Sequence, residues 1–216
     1  MKSDWQKKLE NKIEEYLNEY SACHDFFHAK RVLKYALEIS KEIECDCDIL
    51  IASALLHDTG YKGHEDDIPN HQFYSMKLAQ IWLPEVGFPE DKLEEVLEAI
   101  RLHDNFSWGE SYESTDNVGA KVIQDADRIE SIGAIGIARL GCFFGMKQYP
   151  IYSTSPVKSD KNDRPNHSML DQLKRESSQK WKNMNFSISK KISKEKQEII
   201  SKYYEDLKNE LEEGAK

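Results

Sequence analysis

Asp48-Ile49-Leu50-Ile51-Ala52-Ser53-Ala54-Leu55-Leu56-His57-Asp58 is the stretch on which the fold turns. From Ile49 to Leu56 the run is apolar all round, with no polar stripe to face water. Asp48 stands where an N-cap would, so the run reads as a helix, and a helix hydrophobic on every side is a buried one. His57 then emerges from the core where that helix stops.

Working outward, the neighbouring segments are amphipathic rather than uniformly apolar. Trp5, Leu9, Ile13, Tyr16 and Tyr20 recur at steps of three and four, which predicts a helix over Trp5–Tyr20. Phe27–Ile43 repeats the pattern through Val32, Leu33, Ala36, Leu37, Ile39 and Ile43. Gly60, Gly63 and Pro69 break the chain into a loop over Asp58–Asn70. Helical periodicity returns at Tyr74–Leu83, Pro89–Leu102 and Asn117–Ile129, and Ile132–Phe144 is apolar enough to be buried. A polar stretch at about 149–167 reads as a long loop, and two more helices follow at about Ser168–Lys182 and Ser189–Glu213. No alternating strand of useful length and no internal repeat is found. The expectation is one all-α domain over 1–216, with a core at about 20–145 and helices at about 168–213 packed back on it.

Composition narrows the function. The 216 residues carry 30 basic and 39 acidic side chains, a net charge of -9. That excludes coating nucleic acid by bulk electrostatics, but leaves room for a small anionic substrate in a cleft held by a metal or a local cluster. There is no signal-peptide core and no apolar run long enough to span a membrane. Cys23, Cys45, Cys47 and Cys142 form no CxxC pair and read as free thiols, so a cytoplasmic protein is expected. Nothing excludes self-association into a homo-oligomer.

The chemistry-bearing residues are histidines and aspartates. Six of seven histidines fall between His24 and His103, and three are followed by aspartate: His24-Asp25, His57-Asp58 and His103-Asp104. A neighbouring imidazole and carboxylate at a fraying helix end can share one divalent ion. The alternative makes His57 a partner for the last helical carbonyls and Asp58 a turn residue. His24 and His28 are four apart and would share a face on a continuous helix, with Arg31 on the same side. That set suits a metal beside an anion, or else His24-Asp25 caps the helix and Arg31 forms a surface ion pair. In Gln124-Asp125-Ala126-Asp127-Arg128 the two carboxylates diverge around a helix, so at most one enters a given site.

His24-Asp25-Phe26-Phe27-His28-Ala29-Lys30-Arg31-Val32 resembles the opening motif of HD-domain metal-dependent phosphohydrolases. Leu55-Leu56-His57-Asp58 resembles their name-giving doublet, and Ala126-Asp127-Arg128 their closing motif. His28 and His57 stand 29 residues apart, Asp58 and Asp127 69 apart, in the family's order. The stretch Ile132–Arg139, running on from the closing motif, is similar to a branch of compact bacterial proteins. The resemblance implies an all-α fold and one divalent ion (Mn, Mg, Ni, Co or Fe) held by His28, His57, Asp58 and Asp127. It also implies hydrolysis of a nucleotide or phosphate ester by a metal-activated water, with cleavage of nucleoside triphosphates to monophosphate and pyrophosphate foremost. Nucleotidase, cyclic-nucleotide phosphodiesterase and oxygenase activities occur in the same superfamily, and a non-catalytic nucleotide sensor is the rival of another class. The presence of all four ligands favours the enzyme.

Asp58 and His103 are the expected catalytic residues, and Arg31 and Lys62 the expected phosphate anchors. A carboxylate in Glu65–Asp67 is a second place for a proton. His71 and His103 are candidates for a second ion, but Asp104 stands where two-metal members carry an adjacent histidine, which favours one. The loop Thr59-Gly60-Tyr61-Lys62-Gly63-His64 departs from the family by offering no match to its catalytic acid.

Overall fold

The computed structural model describes residues 2–21, 23–65, 67–104, 115–154, 168–179 and 184–213. Among them are nine α-helices and no strand, the all-α class expected: α1 (Asp4–Leu17), α2 (Phe26–Ile39), α3 (Cys47–Leu56), α4 (His71–Val86), α5 (Leu93–Leu102), α6 (Val118–Glu130), α7 (Gly133–Met146), α8 (Met169–Gln179) and α9 (Ser187–Glu213). They fall into two compact units, Met1–Glu130 and Ser131–Lys216. Most of the polar stretch over 149–167, together with Asp66, His167 and the continuation of α8 to residue 182, lies outside the described residues. No single helix among the described residues is long and apolar enough to cross a membrane.

In the first unit α3 packs against all five of the other helices. That is why it can be apolar all round: Leu50, Ala52, Ala54, Leu55 and Leu56 are almost wholly excluded from water. Its neighbours turn single stripes inward, Val32, Leu33, Ala36 and Ile39 from α2, Val96, Leu97 and Ile100 from α5, and Val122, Ile123, Ala126 and Ile129 from α6. Helix α1 adds Leu9 and Ile13, and sets Trp5 edge-on against Phe88 at 4.9 Å. At about 25 cal/mol per Å² of apolar surface, burying each such side chain contributes about 1.5–3 kcal/mol.

Helix starts differ from the sequence reading in four places. Asp46, not Asp48, caps α3: its carboxylate accepts from the Asp48 and Ile49 amides at 2.8 and 3.4 Å. Asp48 instead sits in the first turn and pairs with Lys92 at 2.6 Å. Asp25 caps α2, accepting from His28 N at 2.7 Å, so His24 precedes the helix and shares no helical face with His28. Helix α4 starts at His71, three residues before the expected Tyr74, and a single 3-10 turn, Glu90–Lys92, separates Pro89 from α5.

The connection after α3 is equally specific. Thr59–Tyr61 makes one 3-10 turn, and Gly60 N donates to Ser75 Oγ at 2.8 Å, drawing the turn onto α4. A Cβ at Gly60 would overlap the His71 carbonyl oxygen and stand 2.5 Å from Ser75 N, both backbone atoms that cannot step aside. This close approach is what brings the His57-Asp58 end of α3 against the start of α4.

In the second unit α7, α8 and α9 close around Phe144, Met169, Leu173 and Ile200, with Ile137, Leu140, Tyr204 and Leu207 at the edge. Only Gly133, Gly136 and Phe144 of α7 are buried, so this helix is more exposed than its apolar sequence suggests.

Gly60→Ala forces α4 away from the 3-10 turn. The expected cost is at the upper end of the about 1–3 kcal/mol typical of overpacking. A urea melt unchanged from the parent would show that this approach is not required.

Candidate metal centre

Five helix ends meet beside Asp58. The His28 imidazole enters from the first turn of α2, and His57 and Asp58 from the end of α3. His71 opens α4, His103 closes α5, and Asp127 lies in the last turn of α6. His28, His57, His71 and His103 are all buried, whereas the Asp127 side chain is 23% exposed.

The two oxygens of Asp58 face different imidazoles. Oδ2 lies 3.1 Å from His28 Nε2 and 3.2 Å from His57 Nε2, and these nitrogens are 3.2 Å from each other. Asp127 Oδ1 stands 3.6 and 3.9 Å from the same two nitrogens. Oδ1 of Asp58 lies 3.2 Å from His103 Nε2 and 3.3 Å from His71 Nε2, which are 3.1 Å apart. Two overlapping donor groups result, His28/His57/Asp127 and His57/Asp58/His103. Asp125, two residues from Asp127 on α6, is wholly buried and belongs to neither.

The backs of the rings fix what the fronts can do. His57 Nδ1 is 2.9 Å from the Ala54 carbonyl and His103 Nδ1 is 2.6 Å from the Ile100 carbonyl. A carbonyl only accepts, so each ring keeps a proton on Nδ1 and turns Nε2 inward, a lone pair when the ring is neutral and a second N–H when it is charged. His28 Nδ1 lies 3.2 Å from Glu130 Oε2, a contact not aligned as a hydrogen bond, and Glu130 Oε1 accepts from Arg31 Nε at 2.7 Å. Burial by itself would raise the Asp58 carboxyl, but the charge of His57 and bonds from His103, His28 and His57 hold it well below the usual carboxylate range. Burial likewise opposes charge on His103, yet the Asp58 contact carries it above an ordinary imidazole.

The remaining expected residues are placed as follows. Arg31 sits behind His28, on Glu130, with its side chain 31% exposed. Lys62 is engaged with α1, donating to the Tyr16 carbonyl and lying over the Tyr16 ring at 5.1 Å. Glu65 accepts from the Gly63 amide, and Asp67 is occupied by Asn70 and the Tyr74 hydroxyl. His24 reaches within 3.9 Å of Asp58 Oδ2, and its ring stacks on Tyr61, which stacks in turn on His71. Sequence reasoning missed Tyr61, Glu130 and Gln124, the last of which ties α6 to the end of α5 by donating to the Leu102 carbonyl at 2.8 Å. Glu130 had a legible signal: it is three residues past Asp127 and so on the same face of the helix.

These donors fit a divalent ion. Bonds of about 2.1 Å at right angles put adjacent ligand atoms about 3 Å apart, close to the spacings found here. Imidazole nitrogens with carboxylate oxygens suit Mn, Fe, Co, Ni or Mg rather than a thiolate-type zinc. Lone pairs converging at such distances repel unless a cation or shared protons lie among them.

The comparisons agree with this geometry. The HD-domain model matches residues 25–132, half of the chain and the span that supplies every donor above. YpgQ of Bacillus subtilis (strain 168) is 28% identical over 140 residues, covering 65% of this chain and 66% of that protein. The crystal structure of YpgQ in complex with ADP superposes with a TM-score of 0.70 at 24% identity, over 95% of this chain and 97% of that one. A Lactobacillus plantarum protein gives 0.76 at 18% identity over 98% of both chains, which shows a shared fold. An HD-superfamily hydrolase from Bacillus thuringiensis gives 0.67 at 25% identity over 96% of both. With its His-Asp doublet at the heart of the donor set and the domain matched around it, the chain belongs to the HD-domain superfamily of hydrolases.

Proposed function

We propose that this chain is a metal-dependent phosphohydrolase that cleaves nucleoside triphosphates to nucleoside monophosphate and pyrophosphate. The observation that carries the reading is the convergence of His28 Nε2, His57 Nε2, Asp58 Oδ2 and Asp127 Oδ1, four atoms that can each ligate a divalent ion. In this reading those four residues hold one ion. Such an ion acidifies water and polarises a phosphoryl oxygen. His103, in contact with the other oxygen of Asp58, is the group that exchanges a proton with the reacting phosphate or water. Arg31, held at Nε by Glu130, presents its outer N–H groups to the phosphate chain. Water adds to the α-phosphorus, the α–β anhydride bond breaks, and pyrophosphate leaves.

The acidic chain favours a small polyphosphate over a nucleic acid, and the ADP complex of YpgQ supports a nucleotide as the ligand. A second reading has a specific observation behind it: His71, His103 and Asp58 Oδ1 form a further triangle of donors, which would make Asp58 the bridge between two ions. Metal stoichiometry separates them, one ion per chain against two.

Asp58→Ala is expected to fold and to bind Mn²⁺ at least about tenfold more weakly, with turnover lost. Elemental analysis showing the parent's metal content would remove Asp58 from the ligand set. Asp127→Asn should behave like it, whereas Asp125→Asn should retain metal and alter stability. Equal metal loss in both would contradict the divergence of the two carboxylates.

For the reaction, nucleoside triphosphate with Mn²⁺ should yield monophosphate and pyrophosphate in equal amounts, resolved by ion-exchange chromatography. Orthophosphate from monophosphates alone would establish a nucleotidase instead. Tight nucleotide binding without any product would establish the sensor.

A further inference from the structure

We infer that Glu130 is a positioning residue: clamped by Arg31, it sets the His28 imidazole so that Nε2 faces the ion. The inference rests on the reading of His28 as a ligand.

The need for such a residue follows from where His28 stands. His57 and His103 are at helix C-caps, where the carbonyl three residues back lies within reach of Nδ1. His28 is in the first turn of α2, and the corresponding carbonyl, that of Asp25, is taken by the Ala29 amide at 3.4 Å. The charged group behind the His28 ring comes instead from a neighbouring element, α6, which packs along α2.

Glu130 is that group, close to Nδ1 though not aligned with it as a hydrogen bond. It is wholly buried, at the C-terminal end of a helix where the macrodipole disfavours negative charge. A carboxylate kept there needs compensation, which Arg31 Nε supplies at 2.7 Å on Oε1. The other oxygen lies 3.2 Å from His28 Nδ1. The pattern is two by two. His28 and Arg31, three apart on α2, face Asp127 and Glu130, three apart on α6. The same cross-helix strip thus carries one ligand from each helix and one supporting residue from each. A carboxylate behind an imidazole favours the Nδ1–H tautomer and makes Nε2 a stronger donor than a neutral carbonyl would.

The test uses the full chain and the metal alone. In Glu130→Gln, calorimetric titration with Mn²⁺ should give a Kd raised about 10–100-fold while circular dichroism shows an intact fold. A purely structural role would lower the melting temperature and leave the affinity of the folded protein within about threefold, which would overturn the inference. A second measurement needs no variant: ¹⁵N NMR of the Mg²⁺-loaded parent should find the His28 proton on Nδ1. A proton on Nε2 would overturn the inference, and this measurement decides alone if the variant does not fold. Failure of the parent to bind either ion would overturn the ligand reading itself, a result distinct from undiminished binding by Glu130→Gln.

Discussion

The Asp58 carboxylate has almost no water to solvate it and four imidazoles within 3.3 Å, two on each oxygen, with His24 farther out. Burial of an isolated carboxylate costs enough to neutralise it, so its neighbours decide its state. Here attraction to those rings outweighs the burial penalty and the group stays ionised. Keeping it so requires each ring to be delivered from a different helix, and that requirement orders the first unit. Helices α2 and α4 bring their first turns, and α3, α5 and α6 their ends, to one point. The close contact at Gly60 is the step that lets α4 arrive.

Helix ends are the natural place for such a site because they carry backbone groups with no partner inside the helix. Both α3 and α5 terminate in His-Asp, and in both the imidazole turns back to a carbonyl of the preceding turn. One contact therefore does two things: it satisfies an end carbonyl and it fixes which nitrogen points into the cluster. Thr59 Oγ and Gln124 Nε2 bond the Leu56 and Leu102 carbonyls at the same two ends. With the carbonyls met from several sides, the last turns of α3 and α5 hold their histidines in one orientation.

Much of this was legible before any coordinates. The apolar run Ile49–Leu56 declared a central helix, and the resemblance to HD-domain motifs named His28, His57, Asp58 and Asp127, side chains that the fold brings close together. Helix starts were less legible: two aspartates compete at α3, where Asp46 won over Asp48 by reaching two amides at once. Asp25 likewise fixed the start of α2 and left His24 outside it. Lys62 follows Asp58 closely in sequence, and across the 3-10 turn between them its ammonium meets the Tyr16 carbonyl, a contact the local pattern did not announce. The His71/His103 triangle and the Tyr61 stack depend on the packing of α4 against α5 and on the Gly60 turn, contacts between distant segments that no local pattern encodes.

Charge at the centre bears on what it can accept. Asp58, Asp127 and Glu130 bring three carboxylates, and Arg31 a guanidinium, to this cluster. With the imidazoles neutral, these four groups sum to two negative charges, which one divalent ion would cancel. Arg31 is also partly spent on Glu130, so the protein itself offers a polyphosphate little positive charge, and the chain as a whole is acidic. A polyanion approaching a neutral, largely buried site is not attracted by net charge; its binding depends on direct coordination and on cations it carries with it. A second ion between Asp58, His71 and His103 would change that balance, because imidazoles add donors without adding negative charge. The nitrogen-rich side of Asp58 is therefore where this centre could gain positive charge, and the carboxylate-rich side is where it would hold an ion most firmly.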